Sequence, residues 1–159
     1  MTNTARNAPF VPDEFDVPRH LDHAQFRLRP LGVEHNERDY AAWTSSIDHI
    51  KATPGFVGES WPHTMSLEAN RGDLEKHADD FAARRGFTYT VLDPADDVIG
   101  CVYIYPGRDA HSDARVSSWV CARLAPLDVV LYRAVTQWLD AAWPFARVDY
   151  APRPGAAGH

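Results

Sequence analysis

A chain of 159 residues, 45% hydrophobic and 24% charged, can bury one core of its own and is too short for two domains of ordinary size. Its formal net charge of −6 argues against a protein that tracks a nucleic-acid backbone, and it is compatible with a small cationic or amine ligand. No apolar run approaches a membrane span and residues 1–9 lack the apolar stretch of a secretion signal, so we expect no membrane partner and a cytoplasmic location.

Residues 1–24 are rich in Pro, Asp, Asn and Arg, with Phe10, Val11, Phe15, Val17 and Leu21 scattered among them. This composition describes an N-terminal arm whose apolar residues dock onto the body or onto a second subunit. Residues 25–31, Gln-Phe-Arg-Leu-Arg-Pro-Leu, alternate apolar and charged side chains as a half-buried strand does, and Pro30 places its end near a sheet edge. From Val33 to about Lys51, Tyr40, Trp43, Ile47 and Ile50 fall at helical spacing, and Thr53-Pro54-Gly55 stops the helix. A loop with Trp61 beside Pro62 follows. Ser66 then caps a second helix with Leu67, Leu74, Ala78 and Phe81 on its inner stripe, closed by Arg84-Arg85-Gly86.

Residues 87–92 are a run of strand formers, and Asp93-Pro94-Ala95-Asp96-Asp97 is a turn into Val98–Tyr105. That second run is apolar throughout and rich in β-branched and aromatic residues, which predicts the centre of a sheet with both faces covered. After the turn-rich stretch 106–113, residues 114–121 read as its antiparallel neighbour. Pro126 opens a third helix carrying Leu127, Leu131, Val135, Trp138 and Ala142 at helical spacing; Trp143-Pro144-Phe145 ends it. Residues 147–151 form a last short strand and 152–159 a flexible tail, so the folded domain spans 25–151. The fold class is α/β, with a mixed, mostly antiparallel sheet and helices on both faces.

Few constellations carry chemistry. Cys101 and Cys121 both lie in expected strands and read as buried free thiols. The eight histidines show no helix motif for a metal, so no metal site is expected, and no nucleophile elbow, phosphate loop or dinucleotide fingerprint is present. Trp61, in a loop beside Pro62, is the tryptophan expected to face a ligand. A strand that feeds a helix N-terminus near Pro126 is a natural place to hold an anion.

The order strand, helix, helix, three strands, helix, strand, with an opening Arg27-Leu28-Arg29-Pro30-Leu31 and a hairpin whose second strand reads Val98-Ile99-Gly100-Cys101-Val102, resembles the GNAT superfamily of acyl-CoA-dependent N-acetyltransferases over about Phe26 to Tyr150. The resemblance implies a shortened member lacking the last helix and strands, which moves an acyl group from acetyl-CoA to a small amine. Its alternative is a catalytically silent relative that binds a small molecule or a protein partner. In this family the cofactor lies along a strand's exposed backbone, with its pyrophosphate on the loop that starts the next helix. That assigns Val120, Cys121 and Ala122 to the pantetheine and Arg123 to the phosphates. The family's signature there is Arg or Gln, two residues, Gly, one residue, then Gly or Ala. The corresponding residues, Cys121 to Asp128, contain no glycine; Pro126 lacks an N–H, and Asp128 sets a carboxylate in the first helical turn. For catalysis the resemblance nominates His49, near the end of the first helix, as the base, and Tyr105 on the central strand as proton donor. Trp61 and Tyr103 are the candidate substrate contacts. An unfinished sheet edge implies cover by the arm or by a second copy, hence a homodimer.

Overall fold

A computed structural model describes residues 9–155. The strands are β1 (Leu21–Asp22), β2 (Arg27–Pro30), β3 (Phe87–Leu92), β4 (Val98–Pro106), β5 (Ala114–Val120) and β6 (Val148–Tyr150). The helices are α1 (Asn36–Thr44), α2 (Ile47–Lys51), α3 (Leu67–Ala82) and α4 (Leu127–Ala142). All six strands join one sheet in sequence order. Pairing is antiparallel from β1 through β5, and parallel only between β5 and β6, whose connection is α4. The mixed α/β architecture read from the sequence is the observed one. β3 and β4 sit mid-sheet, β3 buried along its whole length, because helices cover both faces.

Two cores flank the sheet. On one side Leu131, Val135, Trp138 and Leu139 of α4 pack with Leu28, Tyr89, Val102 and Val116. On the other, Trp43, Ile50 and Leu74 from α1, α2 and α3 pack with Leu92, Cys101 and Trp119. Cys101 and Cys121 are both buried free thiols. No helix among the described residues is long and apolar enough to cross a membrane.

Two details depart from the simplest reading of the sequence, and a third shows which of the two expected surfaces the arm packs on. The single helix expected over Val33–Lys51 is a 3-10 turn, Val33–His35, followed by α1 and α2. It breaks because the Thr44 hydroxyl donates to Tyr40 O (2.6 Å) and the Ser45 hydroxyl to Ala42 O (2.9 Å), while Ser46 leaves helical geometry at φ −134°. The arm packs on its own domain: Val11 is 1% exposed in the α4-side core, and Arg84 Nη2 donates to Pro12 O (2.7 Å) and Phe15 O (3.0 Å). Residues 1–8 of that arm lie outside the described residues. Arg153, within the stretch expected to be a flexible tail, has a side chain 1% exposed; residues 156–159 lie outside the described ones.

Candidate functional site

Helix α3 places Asn70, Asp73, Leu74 and His77 at spacings that put them on one face. That face, α1, the loop through Trp61 and the strands β4 and β5 enclose a cavity of about 300 Å³. Its acidic wall is Asp39 with Asp73, its aromatic wall Phe56, Trp61 and Tyr103, and His77, Tyr105 and Arg115 complete it. Arg115 is the one cationic side chain among the lining residues, and it faces Glu59 at 3.9 Å.

Asn70, 2% exposed, spends its whole amide on fixing the acidic wall. Its Oδ1 accepts from Trp43 Nε1 (3.0 Å), and its Nδ2 donates to Asn36 Oδ1 (2.8 Å) and Asp39 Oδ2 (3.1 Å). Asp39 is 4% exposed, and its Oδ1 accepts no hydrogen bond from the described residues. Burial pushes its carboxyl up to about 6, with the Asn70 hydrogen bond opposing that rise and the charge of Asp73 adding to it.

His77 is held from behind. Its Nδ1 lies 3.0 Å from the Tyr105 hydroxyl and 2.9 Å from Thr88 Oγ1, and the Tyr105 hydroxyl donates to Asp80 Oδ2 at 2.9 Å. With its proton committed to Asp80, the tyrosine oxygen can only accept, which assigns the imidazole proton to Nδ1 and leaves Nε2 as a lone-pair base. Burial lowers the His77 pKa against the opposing fields of Asp80 and Asp73, so the ring is neutral at neutral pH. Tyr105 keeps its proton because burial raises its pKa. Gly86 makes room for this tyrosine: a Cβ there would collide with the Tyr105 ring.

Of the residues nominated from sequence, Trp61, Tyr103 and Tyr105 come together on this cavity. Trp61 packs on Trp43 (5.5 Å), Phe56 (6.0 Å), Trp119 (6.2 Å) and Tyr103 (6.4 Å between ring centroids), and Tyr103 takes a hydrogen bond from Trp119 Nε1 at 3.0 Å. His49 stands apart from the cavity wall: it lies on α2, and its Nε2 is buried with no hydrogen-bond partner among the described residues. Asp39, Asn70 and His77 were missed. The signal was there in polar residues sharing the spacing of Trp43 and Leu74, the apolar anchors of their helices.

Val120, Cys121, Ala122 and Arg123 lie at the β5–α4 junction, away from the cavity. The main chain of Cys121 and Ala122 is engaged: Cys121 N donates to Ile99 O (2.9 Å), Ala122 N to Ser46 Oγ (2.9 Å), and Leu124 N to Cys121 O (2.9 Å). Arg123 is exposed. On the open edge of β5, the Ser118 carbonyl accepts from Arg153 Nη2 (2.8 Å), and Asp128 in the first turn of α4 is ion-paired to the same arginine. At this junction the Ser118 carbonyl is held by Arg153, and a carboxylate stands where a pyrophosphate would need the helix N-terminus.

Several solved structures similar to this chain are acetyltransferases. A candidate ribosomal-protein-serine acetyltransferase from Vibrio cholerae matches with TM-score 0.65 at 12% identity, over 91% of this chain and 77% of that one. Mycobacterium smegmatis RimJ, in complex with CoA-disulfide, matches with TM-score 0.62 at 14% identity, over 83% of this chain and 64% of that one. The microcin C7 self-immunity acetyltransferase MccE, in complex with acetyl-CoA and AMP, matches with TM-score 0.59 at 12% identity, over 78% and 66%. The fold is therefore that of the GNAT acetyltransferases. No family model matches the sequence, and no curated protein does.

Proposed function

We propose that the chain holds a small organic amine in the cavity, its cationic nitrogen on Asp39 and its carbon skeleton against Phe56, Trp61 and Tyr103. The observation that carries this reading is Asp39 itself. A carboxylate this deeply buried, with one oxygen on Asn70 and no ion pair among the described residues, carries a desolvation cost that a bound cation offsets. A cavity of about 300 Å³ is at the small end of ligand sites, which favours a small molecule over a protein segment.

Acyl transfer from an acyl-CoA to that amine is the second reading. It draws support from the acetyltransferase fold and from His77, whose unprotonated Nε2 suits a base that takes the proton an ammonium must lose before it attacks an acyl group. Arg153 and Asp128 at the β5–α4 junction weigh against it, and on that ground we put binding first.

Calorimetric titration tests both. At pH 7.5, phenethylamine binds while its acidic counterpart phenylacetate does not, and Asp39→Asn weakens the amine at least about tenfold, which corresponds to roughly 1.4 kcal/mol. Equal affinity for amine and acid, or an unchanged affinity in Asp39→Asn, overturns the proposal. Release of free thiol from acetyl-CoA in the presence of the amine would establish transfer, and none is expected from the wild type.

A further inference from the structure

β5 and β6 pair in parallel only from Ala114↔Val148 to Val116↔Tyr150, while β5 runs on to Val120. Beyond Val116 the two strands part. Ser118 and Val120 present their main-chain groups to the same open edge, since alternate residues of a strand face the same side.

We infer that Arg153 is the chain's own occupant of this gap and that the groove is closed to acyl-CoA. All three of its guanidinium nitrogens donate. Nε donates to Asp128 Oδ2 (2.7 Å) and Nη2 to Asp128 Oδ1 (3.3 Å), a two-point grip on one carboxylate. Nη2 also donates to Ser118 O (2.8 Å) and Ser118 Oγ (3.3 Å), and Nη1 to Ala151 O (2.8 Å). The rings of Tyr132 and Tyr150 each lie 5.6 Å from the guanidinium carbon, and the Tyr150 and Ser118 hydroxyls are 2.6 Å apart. One side chain thus joins β5, α4 and the segment after β6.

The same contacts explain why displacement is unfavourable. A carrier that needs the open edge of β5 must move a guanidinium that is 1% exposed, and its departure leaves both the arginine and Asp128 without partners. Asp128 supplies a second obstacle. Its carboxylate already takes up the favourable field at the start of α4, and with Arg153 moved away it would repel a phosphate there.

The test has two independent arms. In the wild type, acetyl-CoA gives no saturable heat up to about 1 mM, and the Arg153 Nε–H proton, seen by arginine-detected NMR and assigned with Arg153→Lys, exchanges slowly and does not shift when acetyl-CoA is added. In Arg153→Ala the melting temperature falls by about 10 °C, and Arg153→Gln with Asp128→Asn, which strands no charge, recovers part of that loss. Saturable wild-type binding below about 100 µM, a fast-exchanging Arg153 Nε–H, or an unchanged melting temperature in Arg153→Ala overturns the inference. Should Arg153→Ala fail to fold, the wild-type arm decides alone. Neither arm uses the amine cavity, so failure of the amine titration leaves this inference standing, and the reverse holds as well.

Discussion

Asp39 is held in its less favourable charge state by the same packing that makes it useful. Its carboxyl sits at about 6 in the fold against 3.8 for a free aspartic acid side chain, chiefly because burial penalises the anion. For an acid raised on folding, the native state binds the proton more tightly, so the contribution to stability is full below 3.8 and is lost as pH rises through about 6. At neutral pH the fold is therefore less stable, by about 3 kcal/mol, than it would be with an unshifted group. Asp39→Asn keeps an oxygen that accepts from Asn70 and removes the charge. Thermal melts should show this variant more stable than wild type by roughly 5 °C at pH 7.5, with the difference closing near pH 4. Amine affinity should move the opposite way: it weakens in the wild type as pH falls below about 6, because the carboxylate is lost while the amine stays protonated. Asp73, His77 and Arg115 also face the ligand, so Asp39→Asn, in which the decline near 6 should be absent, is the control that assigns it to Asp39. A stabilised variant that no longer binds is the expected mark of a residue kept for its ligand rather than for the fold.

Elements were easier to read than the residues that make the cavity. The strands announce themselves as β-branched and aromatic runs between turns, and α4 as an apolar stripe after Pro126, because burial on a sheet leaves a periodic trace. Asn70 and His77 leave no such trace. A pattern reading treats a polar residue as solvent-facing, whereas Asn70 is buried by partners 27 to 34 residues away in sequence. The interruption between α1 and α2 was hidden for a related reason: three consecutive hydroxyls, Thr44, Ser45 and Ser46, compete with the helix only once a partner is in reach. The partner for Ser46 is the Ala122 amide at the start of the next element, so this break ties the α1–α2 layer to the β5–α4 junction. Ser46→Ala should cost about 1–2 kcal/mol, read as a fall of several degrees in melting temperature, and should speed hydrogen exchange at the Ala122 amide. An unchanged exchange rate at Ala122 would show that another group satisfies it.

At the scale of the whole molecule the sheet separates two tasks. The α1–α3 side carries the cavity, with Trp61 and Tyr103 packed against that core; the α4 side, with the docked arm, holds the other hydrophobic core. Val11 shows how the arm contributes: it is buried among the α4-side core residues, and Arg84 and Tyr89 hold the chain that follows it through the Pro12, Phe15 and Pro18 carbonyls. Composition alone leaves open whether the arm docks onto the body or onto a second subunit, because few apolar residues in a polar stretch do not choose between them; the hydrogen bonds from Arg84 and Tyr89 to its carbonyls hold it on its own domain. Removing two methyl groups at Val11 should destabilise by about 2 kcal/mol, a transfer loss plus a small void. Since Val11 belongs to the core on the α4 side while the cavity packs against the other, Val11→Ala should lower the melting temperature and leave amine affinity within about twofold of wild type. A parallel loss of affinity would mean that the two sides are coupled through β3 and β4, and the cavity would then have to be treated as a product of the whole fold rather than of the α1–α3 layer.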